Sequence, residues 1–264
     1  MKGGIVLCVC ALLANMAVAQ PHGDIDVVLL GDSNTSIGGD ACDNPTGWSK
    51  WFKDAFGPAS CRSYARSGAT WTNTPATRYD TAENTAVISD DNVIYNQVNR
   101  LREAYNAGGQ PEPDLVIIAA GTNDAWFPDK RPSVFGMSVD EAFAATDSFI
   151  TWRAPGTIVT LAEAVRYCCE TLMQDYPNAQ IVLLTPLQSA VADAERLRQV
   201  ADVIAGCGGR MALAVIRQDR VSSVYNVREK VTRINTYDGT HTSPAGARRN
   251  GTQIARMLSA VIDR

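Results

Sequence analysis

Histidine is nearly absent from the 264-residue sequence: only His22 and His241 occur. That scarcity argues against a zinc site, which usually draws on two or three imidazoles. A basic excess is missing too. Lys and Arg total 24 against 28 Asp and Glu, a net charge of −4, so the chain lacks the footprint of an electrostatic nucleic-acid binder. No Cys-x-x-Cys spacing occurs, so neither a redox nor a metal motif is indicated. No charge block, internal repeat or low-complexity linker divides the chain. Beyond the first twenty residues, no apolar run approaches the ~20 residues that a membrane span requires. What is present is a 45% hydrophobic, 20% charged composition, enough to bury a core, which excludes disorder and collagen-like repetition.

The front of the chain reads as a processing segment. Lys2 supplies a positive start, Ile5 to Ala14 is apolar, and Ala17-Val18-Ala19 is a small-x-small cleavage signature. Residues 1–19 are therefore expected to be a signal peptide and 20–264 one exported domain, periplasmic or extracellular after cleavage. Cys42, Cys61, Cys168, Cys169 and Cys207 remain in the mature chain. An oxidising compartment permits bridges, with Cys42–Cys61 as one candidate pair and Cys207 with Cys168 or Cys169 as another. Connectivity cannot be read from spacing, and the plain reading of all five is structural or buried cysteine.

Short, continuously apolar runs mark buried parallel strands: Asp26 to Gly31, Asp114 to Gly121 and Gln180 to Thr185. Ser60 to Ala65 and Ala212 to Ile216 are weaker candidates. Helical faces lie between them, carried by Ile94, Val98, Leu101 and Tyr105, and by Ile158, Leu161, Val165, Cys169 and Leu172. The last helix starts with Ser243 as cap and Pro244 in its first turn, and Ile254, Leu258 and Val261 form its stripe. The alternation predicts an α/β fold with about five mostly parallel strands. The long, weakly periodic segment 125–156 is expected to wall or cover a pocket.

Open α/β sheets bind ligands beyond the carboxyl ends of their strands. The turns expected there are Gly31-Asp32-Ser33-Asn34, Arg66-Ser67-Gly68-Ala69 and Gly121-Thr122-Asn123-Asp124. Together they offer a hydroxyl, a glycine amide and a side-chain amide, the set that acyl transfer needs. A serine needs a base. His22 lies beside the expected mature terminus and reads as solvated, which leaves His241. Asp238, three residues earlier, is placed to hold its Nδ1 hydrogen and leave Nε2 for the serine. Each residue alone has a plainer reading, Ser33 as a helix cap and Asn123 or Asp238 as turn formers. The conjunction is the signal.

These segments resemble the SGNH hydrolases, the GDSL-type esterases and lipases. Gly31-Asp32-Ser33 is similar to the family's first block, Gly68 to the second, Gly121-Thr122-Asn123-Asp124 to the third and Asp238-x-x-His241 to the fifth. The blocks occur in order from residue 26 to about 246. The resemblance implies a three-layer α/β/α sandwich with flavodoxin-like strand order. It implies Ser33 as nucleophile, His241 as base and Asp238 as its orienter. The oxyanion hole would be formed by the Ser33 and Gly68 N–H groups and the Asn123 side chain. It implies no metal or organic cofactor. The Gly-x-Ser-x-Gly elbow of α/β-hydrolases is absent around Ser33.

The expected partner is a small-molecule or polysaccharide ester, with neither nucleic acid nor stable membrane insertion. Short-chain O-acyl groups on carbohydrates are the leading substrate expectation, with Trp71, Trp126 and Trp152 as candidate platforms for sugar rings. A lipase or lysophospholipase acting on longer acyl chains is the alternative. A non-catalytic binding module on the same scaffold is a third reading, disfavoured because nucleophile, base, orienter and donors are all present. The sequons Asn34-Thr35-Ser36 and Asn250-Gly251-Thr252 are read as chance matches.

Overall fold

The computed structural model describes residues 22–80, 88–144 and 147–262. The expected leader, with Cys8 and Cys10, lies outside them. Strands β1 (Asp26–Gly31), β2 (Ser60–Ser63), β3 (Leu115–Ala119), β4 (Gln180–Leu184) and β5 (Ala214–Ile216) form one parallel sheet in the order β2-β1-β3-β4-β5. This is the flavodoxin-like order, and its direction of winding switches between β1 and β3.

The helices are α1 (Ser33–Ser36), α2 (Trp48–Phe56), α3 (Ile94–Asn106), α4 (Thr122–Trp126), α5 (Val139–Ala142), α6 (Leu161–Asp175), α7 (Ala194–Arg210), α8 (Asn226–Val231) and α9 (Pro244–Leu258). Side chains alternate across the sheet with period two. Val28, Leu30, Val116, Ile118 and Leu183 meet Val98 of α3, Leu161 and Val165 of α6 and Val200 of α7 on one face. Val27, Leu29, Ile117, Val182 and Leu184 meet Phe52 of α2 and Ile254 and Leu258 of α9 on the other. Burial on both faces is why the strands read as continuous apolar runs.

Caps and close contacts set the helix ends. Ser243 accepts the Gly246 N–H, with Pro244 in the first turn of α9. The α9 stripe buries Ile254 and Leu258, whereas Val261 lies past the helix end and is exposed. Gly251 seats α9 directly on α2, where a Cβ would come within 2.7 Å of the Phe52 amide nitrogen.

Several expectations are corrected. His22 is buried rather than solvated: its ring stacks on Phe56 with centroids 4.0 Å apart, and Nε2 pairs with Ser259 Oγ at 3.1 Å. Neither proposed cysteine bridge is formed. Cys42, Cys61, Cys168, Cys169 and Cys207 are all buried free thiols. Burial pushes the Cys207 thiol up to about 12. Of segment 125–156, Trp126 and Phe127 wall the cleft at the strand ends, in line with the expectation, and the later part is fastened to α6. A buried ion pair, Arg166–Glu170, binds it to α6: Arg166 donates to the carbonyls of Ala142 and Ser148, and Glu170 accepts the Ile150 N–H. No helix among the described residues is long and apolar enough to cross a membrane.

Candidate active site

β1 ends at Gly31 and the chain turns immediately into α1. Asp32 caps that short helix, its Oδ1 accepting the Asn34 N–H at 3.1 Å, and Ser33 is the first helical residue. The other end of the site is the loop between α8 and α9. There His241 Nε2 lies 2.8 Å from Ser33 Oγ, and His241 Nδ1 lies 2.6 Å from Asp238 Oδ2. An ionised carboxylate only accepts, so Nδ1 carries the hydrogen and Nε2 is free to accept from the serine hydroxyl. Asp238 Oδ1 also accepts the N–H groups of Thr240 and His241. Burial alone would raise the Asp238 carboxyl, but the bonds from the His241 ring and from these two N–H groups outweigh it and hold the carboxyl below its ordinary value. Gly239 makes the turn at φ +98, a conformation that favours glycine.

Gly68, at φ +75, and Asn123, in the first turn of α4, come from the ends of β2 and β3 and line the same cleft as Ser33 and His241. Asn123 Nδ2 donates one of its two hydrogens to the Ala69 carbonyl at 2.9 Å, which fixes the amide beside the Gly68 loop. The cleft has a volume of about 690 Å³. Its walls are largely apolar, with Ile37, Ile88, Trp126, Phe127, Val191 and Tyr237 around the polar groups. Of the three expected tryptophan platforms only Trp126 lines it. Trp71 is buried in the core, and Trp152, although exposed, is not part of the wall.

Polar residues missed in the sequence hold this arrangement. The Asn34 side chain spans the two halves, accepting the Thr242 N–H at 3.2 Å and donating to the Thr240 carbonyl. Asn34 and Asn250 are both buried, in keeping with the sequons being chance matches. Glu229 is fully buried and anchors the stretch before Asp238. It accepts from the N–H and side-chain amide of Asn235 and from the N–H and hydroxyl of Thr236. Burial opposes its charge, yet these donors hold its carboxyl below the ordinary value. Asp124 accepts the N–H groups of Trp71 and Thr72 and the Thr72 hydroxyl, fastening the segment after Gly68. Its carboxyl is raised because burial outweighs those bonds. Asp32 is raised from 3.8 to about 6, again by burial, despite the Asn34 N–H, the Thr122 hydroxyl and the charge of His241. Among the described residues, no group of three or more His, Cys, Asp or Glu side chains is arranged to hold a metal ion.

A family model described as GDSL-like Lipase/Acylhydrolase family matches residues 29–249. No curated protein matches the sequence. Among solved structures, a lipase/acylhydrolase from Enterococcus faecalis is 19% identical, with 90% of this chain and 98% of that one aligned at a TM-score of 0.52. A carbohydrate acetylesterase family member from Sinorhizobium meliloti is 17% identical, with coverages of 89% and 100% and a TM-score of 0.52. A protein from Lactobacillus plantarum is 16% identical, with coverages of 90% and 95% and a TM-score of 0.55. At these identities the structural likenesses speak to fold. The family match spans both ends of the site, from β1 to α9, and the chain belongs to the GDSL-like lipase/acylhydrolase family, the SGNH hydrolases, as an ester hydrolase.

Proposed function

We propose that the chain is an exported serine esterase in which Ser33 is the nucleophile, His241 the general base and then acid, and Asp238 the group that orients the imidazole. The observation that carries this is the continuous hydrogen-bonded chain from Asp238 Oδ2 through the His241 ring to Ser33 Oγ, opening onto a cleft shared with Gly68 and Asn123. In the first step Ser33 Oγ bonds to the ester carbonyl carbon as His241 Nε2 takes the hydroxyl proton. The tetrahedral oxygen is stabilised by the N–H groups of Ser33 and Gly68 and the Asn123 amide. Collapse breaks the bond to the alcohol, which leaves with the proton from His241. Water then repeats the sequence on the acyl-enzyme, releases the acid and restores Ser33. Export rests on the apolar leader and its Ala17-Val18-Ala19 site.

The preferred substrate class is short-chain O-acyl, chiefly acetyl, groups on carbohydrates. Trp126 and Tyr237 present half-exposed or exposed rings at the cleft, suited to stacking on sugars. One observation favours a second reading, an acylhydrolase for longer chains: Ile37, Ile88 and Val191 form an aliphatic wall that a methyl group alone would not use. The p-nitrophenyl esters separate the two. Along such a wall each added methylene contributes about 0.8 kcal/mol, roughly fourfold in kcat/KM. A fall from acetate to octanoate supports the carbohydrate esterase reading and a steady rise supports the second. Ser33→Ala and His241→Ala are each expected to abolish turnover in a folded protein. Retention of activity by either overturns the assignment.

A further inference from the structure

A regular parallel ladder between β1 and β2 would end in a rung from the Gly31 N–H to the Tyr64 carbonyl. The neighbouring bonds are in place, with Tyr64 N–H to Leu29 O at 2.9 Å and Arg66 N–H to Gly31 O at 3.1 Å. That one rung is open. Gly31 N–H instead donates to Gln97 Oε1 at 2.7 Å, while Gln97 Nε2 donates to Gly31 O at 2.8 Å. The Tyr64 carbonyl is taken by Arg100, one turn further along α3. A single fully buried amide thus grips both polar atoms of the residue two before Ser33.

The approach to α3 also grips the Gly68 loop. Asn92 Nδ2 donates to the Ser67 carbonyl at 2.7 Å, and Ile94 N–H donates to the Thr70 carbonyl at 2.9 Å. The Ser33 turn and the glycine loop follow adjacent strands; Ser36 Oγ and Ser67 Oγ meet at 3.1 Å between them, and α3 with its approach is tied to both.

We propose that Gln97 is a positioning residue: by replacing the missing rung, it fixes the spacing between the Ser33 and Gly68 N–H donors. This rests on the esterase reading above. Misplacement of catalytic groups by about 1 Å costs on the order of 10²-fold in rate. Gln97→Met removes both bonds at similar side-chain length. Gln97→Glu, when protonated, restores one donor and one acceptor. The rates of wild type and both variants are measured with p-nitrophenyl acetate at pH 6 and 8. Each is normalised to the sites labelled at Ser33 by a fluorophosphonate.

For Gln97→Met, kcat per labelled site is expected to fall at least tenfold with KM within threefold. Gln97→Glu at pH 6 should exceed the Met variant at least fivefold. A merely structural role would lower the number of labelled sites and leave the rate of each unchanged. Normalised rates within twofold of wild type in both variants, or equal and reduced rates for Met and Glu at pH 6, overturn the proposal. Should the Met variant not accumulate, the Glu-to-wild-type ratio must fall between pH 6 and 8, and a ratio of one at both overturns it. If wild type is not labelled at Ser33, the esterase reading itself fails. Labelled wild type with unaffected variants removes only the role of Gln97.

Discussion

The carboxyl group next to Ser33 makes folding pH-dependent in an unusual direction for an aspartate. Asp32 has its folded value raised from 3.8 to about 6 by burial. A raised value means the folded state prefers the protonated form. The contribution is therefore fully present below 3.8 and is lost as pH rises through about 6. The full shift corresponds to about 3 kcal/mol. About 1 kcal/mol of this is already lost at pH 4.5 and nearly all of it by pH 7.5. Asn keeps the acceptor for the Asn34 N–H and carries no charge to desolvate. Asp32→Asn is thus expected to gain about 2 kcal/mol more, relative to wild type, at pH 7.5 than at pH 4.5. Relief of repulsion on the nearby Asp124 adds in the same direction. Urea unfolding of both proteins at the two pH values measures this directly. In thermal scans the differential amounts to roughly 4–8 °C for a chain of this size. A stability difference that is the same at both pH values would refute the reasoning, whatever its sign.

Asn123→Ala is expected to lower kcat by roughly 10²–10³-fold with little change in KM, measured on p-nitrophenyl acetate, because it removes one of the proposed oxyanion donors. Glu229→Gln should cost on the order of 3 kcal/mol, the loss of charge-assisted bonds worth roughly 1.5–3 kcal/mol each. Its depressed carboxyl adds acid sensitivity of the ordinary sign. That stability is present above the usual glutamate value and is lost as pH falls through the lowered one, which unfolding at pH 3 against pH 7 will test. Gly251→Ala should destabilise the protein by several kcal/mol, since the clash is with backbone that cannot rotate away. A melting temperature unchanged within 1–2 °C (about 0.5 kcal/mol) would contradict it.

The parts legible in the sequence share a cause. Strands β1, β3 and β4 are legible because both sheet faces are covered, so their central positions are all apolar. Ser33, Asp238 and His241 stood out because histidine is scarce and the aspartate lies within the same loop. Gln97, Glu229 and Asn34 could not be read this way. A polar residue in an amphipathic helix looks solvent-facing until the topology places a strand end beside it. Gln97 meets Gly31 across 66 residues, and Asn34 meets Thr242 across 208. The burial of His22 is hidden from the sequence in the same way, since only the folded chain brings Phe56 and Ser259 to it. Segment 125–156 lacks one regular stripe because Val134, Phe143 and Ile150 reach the core from short turns, and the buried Arg166–Glu170 pair further ties its backbone to α6.

The seat of Gly251 on α2 gives the enzyme a built-in reporter of its own maturation. Ser33 follows the first strand, while His241 lies three residues before Pro244, where the last helix begins, so the sheet can assemble with Ser33 in place and His241 still astray. Joining chain segments this far apart carries a large closure entropy and belongs to the slow, non-local part of folding. Recovery of ester cleavage after dilution from denaturant is therefore expected to trail the recovery of far-UV circular dichroism, timing the docking of the C-terminal helix rather than the growth of the sheet.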